Sequence, residues 1–351
     1  MYTKDEIYHR RCLELAQSGL GNVAPNPMVG AVLIVNDEII GEGYHEKFGS
    51  AHAEVNAINS VKNQDLLRKA TLYVNLEPCS HFGKTPPCAD LIIEKKIPRV
   101  VIGHRDPFSE VAGKGIEKLI NAGVEVSVGA FENEAKFLNK RFLTFHEKKR
   151  PYIVLKWAET ADGFIDINRS ANENNRPTWI TDELARTLVH KWRTEEQAIL
   201  IGTNTALYDN PMLNARNWSG KSPLRMILDR TLRLPENLHV FDSTIPTIVF
   251  TEKQSESKAN LEFITIDFQN LINEINSFCY SKQIQSIIVE GGSRLLSTYI
   301  NSGIWDEARI FKGEITFGGG IKAPELNKIQ TSQVNLNKSI LYFTNNNIIH
   351  K

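Results

Sequence analysis

Short apolar runs rich in β-branched residues alternate with helix-like stretches along this chain, and the alternation begins twice. In the first half MVGAVLIV, TLYVNL and RVVIG read as strands, with helices expected to begin near His52, Cys88 and Gly113. In the second half PYIVLKWA, QAILIG, LRMILD, PTIVF and QSIIVE read as strands, and TDELARTLVHKWR as a helix. Strands separated by helices fold as α/β layers, and 351 residues exceed what one hydrophobic core usually supports. Thr3 and Glu6 fit a capping box that opens a helix through about Gly19, with Ile7, Leu13 and Leu15 among its apolar positions. FENEAKFLNKRFLTFHEKKRPY reads as one amphipathic helix that ends in the basic cluster His146 to Arg150, ahead of Pro151. That end is the expected division, giving domains over 1–147 and 148–351.

Charge narrows the partners. Lysine plus arginine number 41 and aspartate plus glutamate 41, so the chain has no electrostatic footprint for a nucleic acid. A small-molecule substrate is expected instead. No apolar run approaches the roughly 18 to 20 residues of a membrane span. The opening MYTKDEIYHRRCLEL is charged where a signal peptide is apolar, so a cytoplasmic location is expected. Four cysteines are too few for a disulfide scaffold, which leaves Cys79 and Cys88 as thiols available to a metal.

His52, Ala53 and Glu54 form His-x-Glu, and Pro78, Cys79 and Cys88 follow the strand TLYVNL. One imidazole and two thiolates make a three-ligand catalytic zinc (Zn2+) site with its fourth position open, and zinc lowers the pKa of bound water toward neutrality. Hydrolytic deamination also needs protons carried to a ring nitrogen and to departing ammonia, work that suits Glu54. This is the pattern of zinc nucleobase deaminases. Two other readings stay open on the residues alone: a structural zinc site with His81 as fourth ligand, or a helix-start histidine beside two small buried cysteines. In the second half QSIIVE runs into Gly291, Gly292 and Ser293 ahead of a helical stretch. Glycines there allow backbone amides to approach a phosphate at a helix N-terminus.

The spacing of the two cysteines, with eight residues between them, departs from the short Pro-Cys-x-x-Cys of cytidine and tRNA adenosine deaminases. LEPCSHFGKTPPC, together with PNPMVGAV, HAEVNAI and GHRDPFSEVAGKGIEKLINAGVEV, resembles instead the deaminase half of the bifunctional riboflavin-pathway deaminase–reductases. The stretches LKWAETADGFID, WITDELARTLVHKWR, ILIGTNTALYDNPMLNAR, RMILD and IIVEGGSRL resemble the reductase half of that family.

The resemblance implies a cytidine-deaminase-like three-layer α/β/α domain followed by a dihydrofolate-reductase-like α/β domain. It implies that His52, Cys79 and Cys88 hold zinc, that Glu54 is catalytic, and that Asn26, His45, His81 and Lys84 contact a phosphoribosylaminopyrimidine substrate. Lys84, in a glycine-containing loop, suits a phosphate as a point charge. For the second half it implies NADPH contacts at Glu159, Trp179, Thr205, Asp209, Gly291 and Gly292, and substrate contacts at Arg193, Leu213, Arg216 and Glu290. The two arginines suit a phosphorylated substrate. A homo-oligomer is also implied. The sequence departs from the family pattern where Phe164 and Ile165 follow Asp162-Gly163, and where Arg176-Pro177-Thr178 precedes Trp179. A rival reading is a zinc deaminase of another nucleotide or of RNA, with a second domain that binds without reducing.

Overall fold

The expected capping box opens the first helix, α1 (Lys4–Gln17): Thr3 Oγ1 accepts the Glu6 N–H, and the Glu6 carboxylate accepts the Thr3 N–H. Its buried stripe is His9, Cys12 and Ala16, whereas Ile7 is exposed, a correction to the apolar positions read from sequence. The sheet beneath selects the stripe at helical spacing, and apolar type alone does not. The computed structural model describes residues 3–80, 86–107, 113–129, 131–169, 178–326 and 331–346. Two units divide the chain, Met1–Lys149 and Arg150–Lys351. Among the described residues no helix is long and apolar enough to cross a membrane.

In the first unit α1 is followed by β1 (Gly30–Val35), β2 (Glu38–Tyr44), α2 (Ala53–Ser60), β3 (Thr71–Leu76), α3 (Cys88–Glu94), β4 (Arg99–His104), α4 (Lys114–Asn121) and β5 (Glu125–Val128). The strands lie in the order β2-β1-β3-β4-β5, with β1 antiparallel to both neighbours and β3, β4 and β5 parallel. Alternate residues serve opposite faces. Leu33, Leu72, Val74, Val100 and Ile102 pack with Ala57 and Ile58 of α2, Ile92 of α3 and Leu119 of α4. Val32, Ile34, Tyr73 and Val101 face the other way, onto Cys12 of α1. The result is the three-layer α/β/α domain expected for this half.

The single helix read over FENEAKFLNKRFLTFHEKK is two, α5 (Glu132–Leu138) and α6 (Lys140–Lys148). Asn139 breaks it because its buried amide is committed elsewhere: Oδ1 accepts the Met28 N–H at 2.8 Å and Nδ2 donates to the Met28 carbonyl at 2.9 Å. A side chain so engaged competes with regular helix.

The second unit contains β6 (Tyr152–Glu159), β7 (Phe164–Asp166), α7 (Glu183–Glu195), β8 (Ala198–Ile201), α8 (Thr203–Asp209), β9 (Leu224–Leu228), β10 (Thr247–Thr251) and β11 (Leu261–Thr265). Then come α9 (Leu271–Ser281), β12 (Ser286–Glu290), α10 (Ser293–Ser302), β13 (Glu307–Gly313), β14 (Ile321–Lys322), β15 (Thr331–Asn335) and β16 (Ser339–Asn345). A nine-stranded sheet runs β11-β10-β9-β8-β12-β6-β13-β16-β15, parallel through β13 and antiparallel at its last two strands, while β7 pairs with β14 apart from it.

Both faces of that sheet are covered. Ile153, Leu155, Leu200, Ile287 and Val289 pack with Cys279 of α9 and with Leu296 and Tyr299 of α10. Val154, Ile199, Ile201 and Ile288 pack oppositely, with Val189 and Trp192 of α7 and Ala206 of α8. From β8 the chain winds outward through β9, β10 and β11, then returns to insert β12 beside β8. The helices that follow these two neighbours, α8 and α10, therefore cover opposite faces. Such a topological switch leaves a crevice at the carboxyl ends of the strands, where α/β sheets bind their ligands.

Candidate active sites

Three soft donors converge in the first unit. His52 caps the N-terminus of α2, Cys79 lies three residues past the end of β3, and Cys88 opens α3. His52 Nδ1 lies 3.6 Å from Cys79 Sγ and 3.3 Å from Cys88 Sγ, and all three ligand atoms fall within 4.8 Å of one another. Cys79 is fixed from behind, since its sulfur accepts the Cys88 N–H at 3.3 Å and its carbonyl accepts the Ala89 N–H at 3.1 Å. Of the two thiols Cys79 is the one held down, by hydrogen bonds from Cys88 and then from His52. The same contact with Cys79 raises His52. One nitrogen and two sulfurs, one sulfur already favouring the thiolate, match the donor chemistry of zinc.

Glu54 stands two residues beyond His52, in the first turn of α2, and is 3 % exposed. Burial, reinforced by Cys79, pushes its carboxyl up to about 7. It can therefore both take and return a proton near neutral pH.

Asn26 and His45 form a relay toward the same place. His45 is buried, its ring edge-on to His52 with centroids 5.5 Å apart. Burial lowers its pKa and favours the neutral ring. Its Nδ1 sits 3.0 Å from the Ala51 carbonyl, which only accepts, so Nδ1 carries the proton and Nε2 accepts from Asn26 Nδ2 at 3.1 Å. The Asn26 N–H donates to the Val23 carbonyl at 2.9 Å, and Met28 lies two residues on. The Met28 backbone is held by Asn139 and by Asn75, whose Nδ2 donates to the Met28 carbonyl at 3.0 Å. Nothing in the sequence pattern marks either asparagine. His81 and Lys84 lie outside the described residues.

The second unit gathers its polar side chains at the carboxyl ends of β6, β8 and β12. Glu290 ends β12 directly across the ladder from Lys156 of β6, with 3.9 Å between Lys156 Nζ and Glu290 Oε2. Arg193 of α7 donates to the same oxygen at 3.0 Å and to the Asn214 carbonyl at 3.1 Å. Arg216 donates to Asn214 Oδ1 at 2.9 Å. Burial pushes the Glu290 carboxyl up, but Arg193 and Lys156 hold it below the ordinary glutamate value. Burial, with Arg193 adding to it, lowers Lys156 against the pull of Glu290. Glu290 Oε1, Arg193 Nε and His190 Nδ1 are buried with no hydrogen-bond partner among the described residues, which suits a site that awaits a polar ligand. Lys156 escaped the sequence reading, although a lone charge inside the apolar run PYIVLKWA is a signal that can be read.

At the switch point Gly291 adopts φ 122°, and a Cβ there would lie 2.7 Å from Thr205 Oγ1, so only glycine fits. Gly292 caps α10, and its N–H donates to Thr205 Oγ1 at 3.1 Å. Leu213, buried and at φ 52°, directly precedes Asn214, whose carbonyl accepts from Arg193. Asp209 ends α8, 3.3 Å from Arg169 Nη2. Burial, with Asp166 adding to it, pushes its carboxyl up to about 6. Glu159 and Trp179 are tied to other partners: Glu159 accepts the Trp157 indole N–H at 2.9 Å, and the half-exposed Trp179 ring lies under the Arg186 guanidinium at 4.7 Å.

A family model described as cytidine and deoxycytidylate deaminase zinc-binding region matches residues 2–104, and one described as RibD C-terminal domain matches residues 151–346. The chain is similar to riboflavin biosynthesis protein RibD of Aquifex aeolicus, 39% identical over 92% of this chain and 90% of that one. It is 40% identical to RibD of Bacillus amyloliquefaciens, over 92% of this chain and 87% of the relative. Among solved structures it superposes on the diaminohydroxyphosphoribosylaminopyrimidine deaminase/5-amino-6-(5-phosphoribosylamino)uracil reductase of Thermotoga maritima. The TM-score is 0.87 at 40% identity, covering 97% of this chain and 98% of that one.

Proposed function

The chain belongs to the RibD family of riboflavin-biosynthesis deaminase–reductases, and from that premise we propose that it is an enzyme with two active sites. Residues 1–147 hydrolytically deaminate 2,5-diamino-6-(5-phosphoribosylamino)pyrimidin-4(3H)-one. Residues 148–351 reduce the ribosyl group of the product to ribityl with NADPH. The convergence of His52, Cys79 and Cys88 beside a buried, near-neutral Glu54 carries the reading.

In the deaminase these three side chains would hold zinc, which would supply Lewis-acid activation of water near neutral pH. Glu54 takes a proton from the attacking water and delivers it to the pyrimidine nitrogen, then moves a second proton to the departing amine. His45 spends its lone pair on the Asn26 amide and so orients it. That leaves Asn26 Oδ1 as an acceptor for substrate N–H groups. His81 and Lys84 complete the substrate side, Lys84 at the phosphate.

In the reductase Gly291, Gly292, Thr205, Glu159, Trp179 and Asp209 would hold the cofactor at the crevice between β8 and β12, where the glycine turn leaves room for a phosphate. NADPH supplies the hydride. Lys156, Arg193 and Arg216 outnumber Glu290, which leaves an excess of positive charge for a phosphorylated substrate. Leu213 shapes the wall beside them. We also propose a homo-oligomeric cytoplasmic enzyme.

Complementation tests the two-site reading. Glu54→Gln should fail to deaminate yet still reduce pre-deaminated substrate, and Asp209→Asn should do the reverse. A mixture of the two should restore full conversion. If both variants lose both activities, the separation of sites is wrong.

A further inference from the structure

Glu77 is a buried carboxylate that the chemistry above does not use. It follows β3 directly, precedes Pro78 and Cys79, and is 4 % exposed. Its N–H donates to the His104 carbonyl at 3.0 Å, which extends the pairing of β3 and β4 past Leu76. Both of its oxygens then serve backbone donors. Oε2 accepts the N–H groups of Asp106 at 3.3 Å and Gly113 at 3.0 Å, and Oε1 those of Gly115 at 3.0 Å and Ile116 at 3.3 Å. The chain thus leaves this carboxylate at Asp106 and returns to the same oxygen at Gly113. Its other oxygen satisfies two otherwise unpaired amides in the first turn of α4. Gly115 shows how closely the parts meet, because a Cβ there would lie 2.0 Å from the Pro78 carbonyl oxygen.

We infer that Glu77 is a positioning residue for deamination, whose carboxylate clasps α4 and both ends of the 106–113 connection to the stretch that carries Cys79. The inference rests on the deaminase reading. β3 and β4 are parallel, so the connection leaving β4 emerges at the same carboxyl edge where β3 delivers Cys79. That is the edge at which α/β sheets bind ligands. The clasp therefore sets the spacing between the metal ligand and the neighbouring edge of the substrate site. It does so without touching the substrate.

The test is Glu77→Gln in the full, zinc-loaded chain. Glutamine keeps the volume but turns an N–H donor toward backbone donors, so one side of the clasp becomes repulsive. Zinc content and reductase activity should stay at parental levels. Deaminase kcat/KM should fall roughly 10- to 100-fold with KM bearing most of it, and the amides of Asp106, Gly113, Gly115 and Ile116 should exchange faster by roughly 10-fold or more. A merely structural carboxylate would lower the melting temperature and leave kcat and KM of the zinc-loaded molecules unchanged, and that outcome overturns the proposal. Should the variant not fold, the parent decides: slow exchange at all four amides supports the clasp, and unprotected Asp106 and Gly113 amides overturn it. If the parent does not deaminate, the deaminase reading fails and the positioning role falls with it.

Discussion

Asp209→Asn should stabilise the second unit while disabling its chemistry. Three features disfavour the Asp209 carboxylate: burial, the neighbouring Asp166, and its place as the last residue of α8, at the negative end of the helix. Arg169 Nη2 at 3.3 Å offsets them only in part. A carboxyl moved from an ordinary value near 3.9 to about 6 carries a penalty of at most ~3 kcal/mol above that pH. The side chain is 33% exposed, so solvent screening reduces this to about 1 to 2 kcal/mol. The sign follows from linkage. A carboxyl raised on folding costs nothing below its unfolded pKa, and the cost grows as pH climbs through 4 to 6 and is constant above. Asparagine is nearly isosteric and uncharged, so the variant should gain that amount at pH 7.5 and little at pH 4. All five tryptophans lie beyond residue 150, so tryptophan fluorescence during urea unfolding reports on this unit alone. Reduction should meanwhile fall at least roughly tenfold, as expected where a strained charge serves function. A variant that is destabilised at pH 7.5, or that keeps parental reductase activity, refutes the argument.

Glu54→Gln should lower deaminase kcat by roughly a thousandfold or more with zinc content unchanged, because the carboxylate moves protons and does not ligate; deamination within tenfold of the parent would refute its role. Cys79→Ser should lower bound zinc well below the one equivalent expected per chain, as measured by metal analysis; unchanged zinc counts against the ligand set. His9 is fully buried, with Nε2 3.0 Å from the Val74 carbonyl and Nδ1 without a partner among the described residues, and burial pushes its pKa down to about 4. A histidine lowered on folding contributes stability that is complete above its unfolded pKa of about 6.5 and is lost as pH falls toward 4, roughly 2 kcal/mol of it by pH 5. His9→Gln should therefore lose less stability than the parent between pH 7.5 and 5 in parallel unfolding titrations, and superimposable pH dependences would contradict this.

Local signals were legible wherever one residue's chemistry sets one feature. Thr3 and Glu6 cap α1, β12 runs into Gly291 and Gly292 ahead of α10, and His52, Cys79 and Cys88 meet as their types and strand context imply. Features built from distant partners were not. Asn139 breaks a helix because of Met28, a residue 111 positions away, and no window of sequence contains both. Lys156 acquires meaning only when ladder register sets it opposite Glu290. Glu77 looks like an ordinary residue before Pro-Cys until the amides of α4 arrive on it. Glu159 and Trp179 come from the family pattern alone, and the contacts they make within the chain are with Trp157 and Arg186.

That one chain deaminates a phosphoribosylaminopyrimidine and then reduces its sugar is directly testable. Incubation of the purified zinc-loaded protein with 2,5-diamino-6-(5-phosphoribosylamino)pyrimidin-4(3H)-one, with and without NADPH, tests it by product mass. Without NADPH the only product should have an amino group replaced by oxygen, and with NADPH that product should gain a hydride and a proton on the ribose. An unchanged substrate mass in both incubations, or a deaminated product that NADPH leaves untouched, would contradict the account.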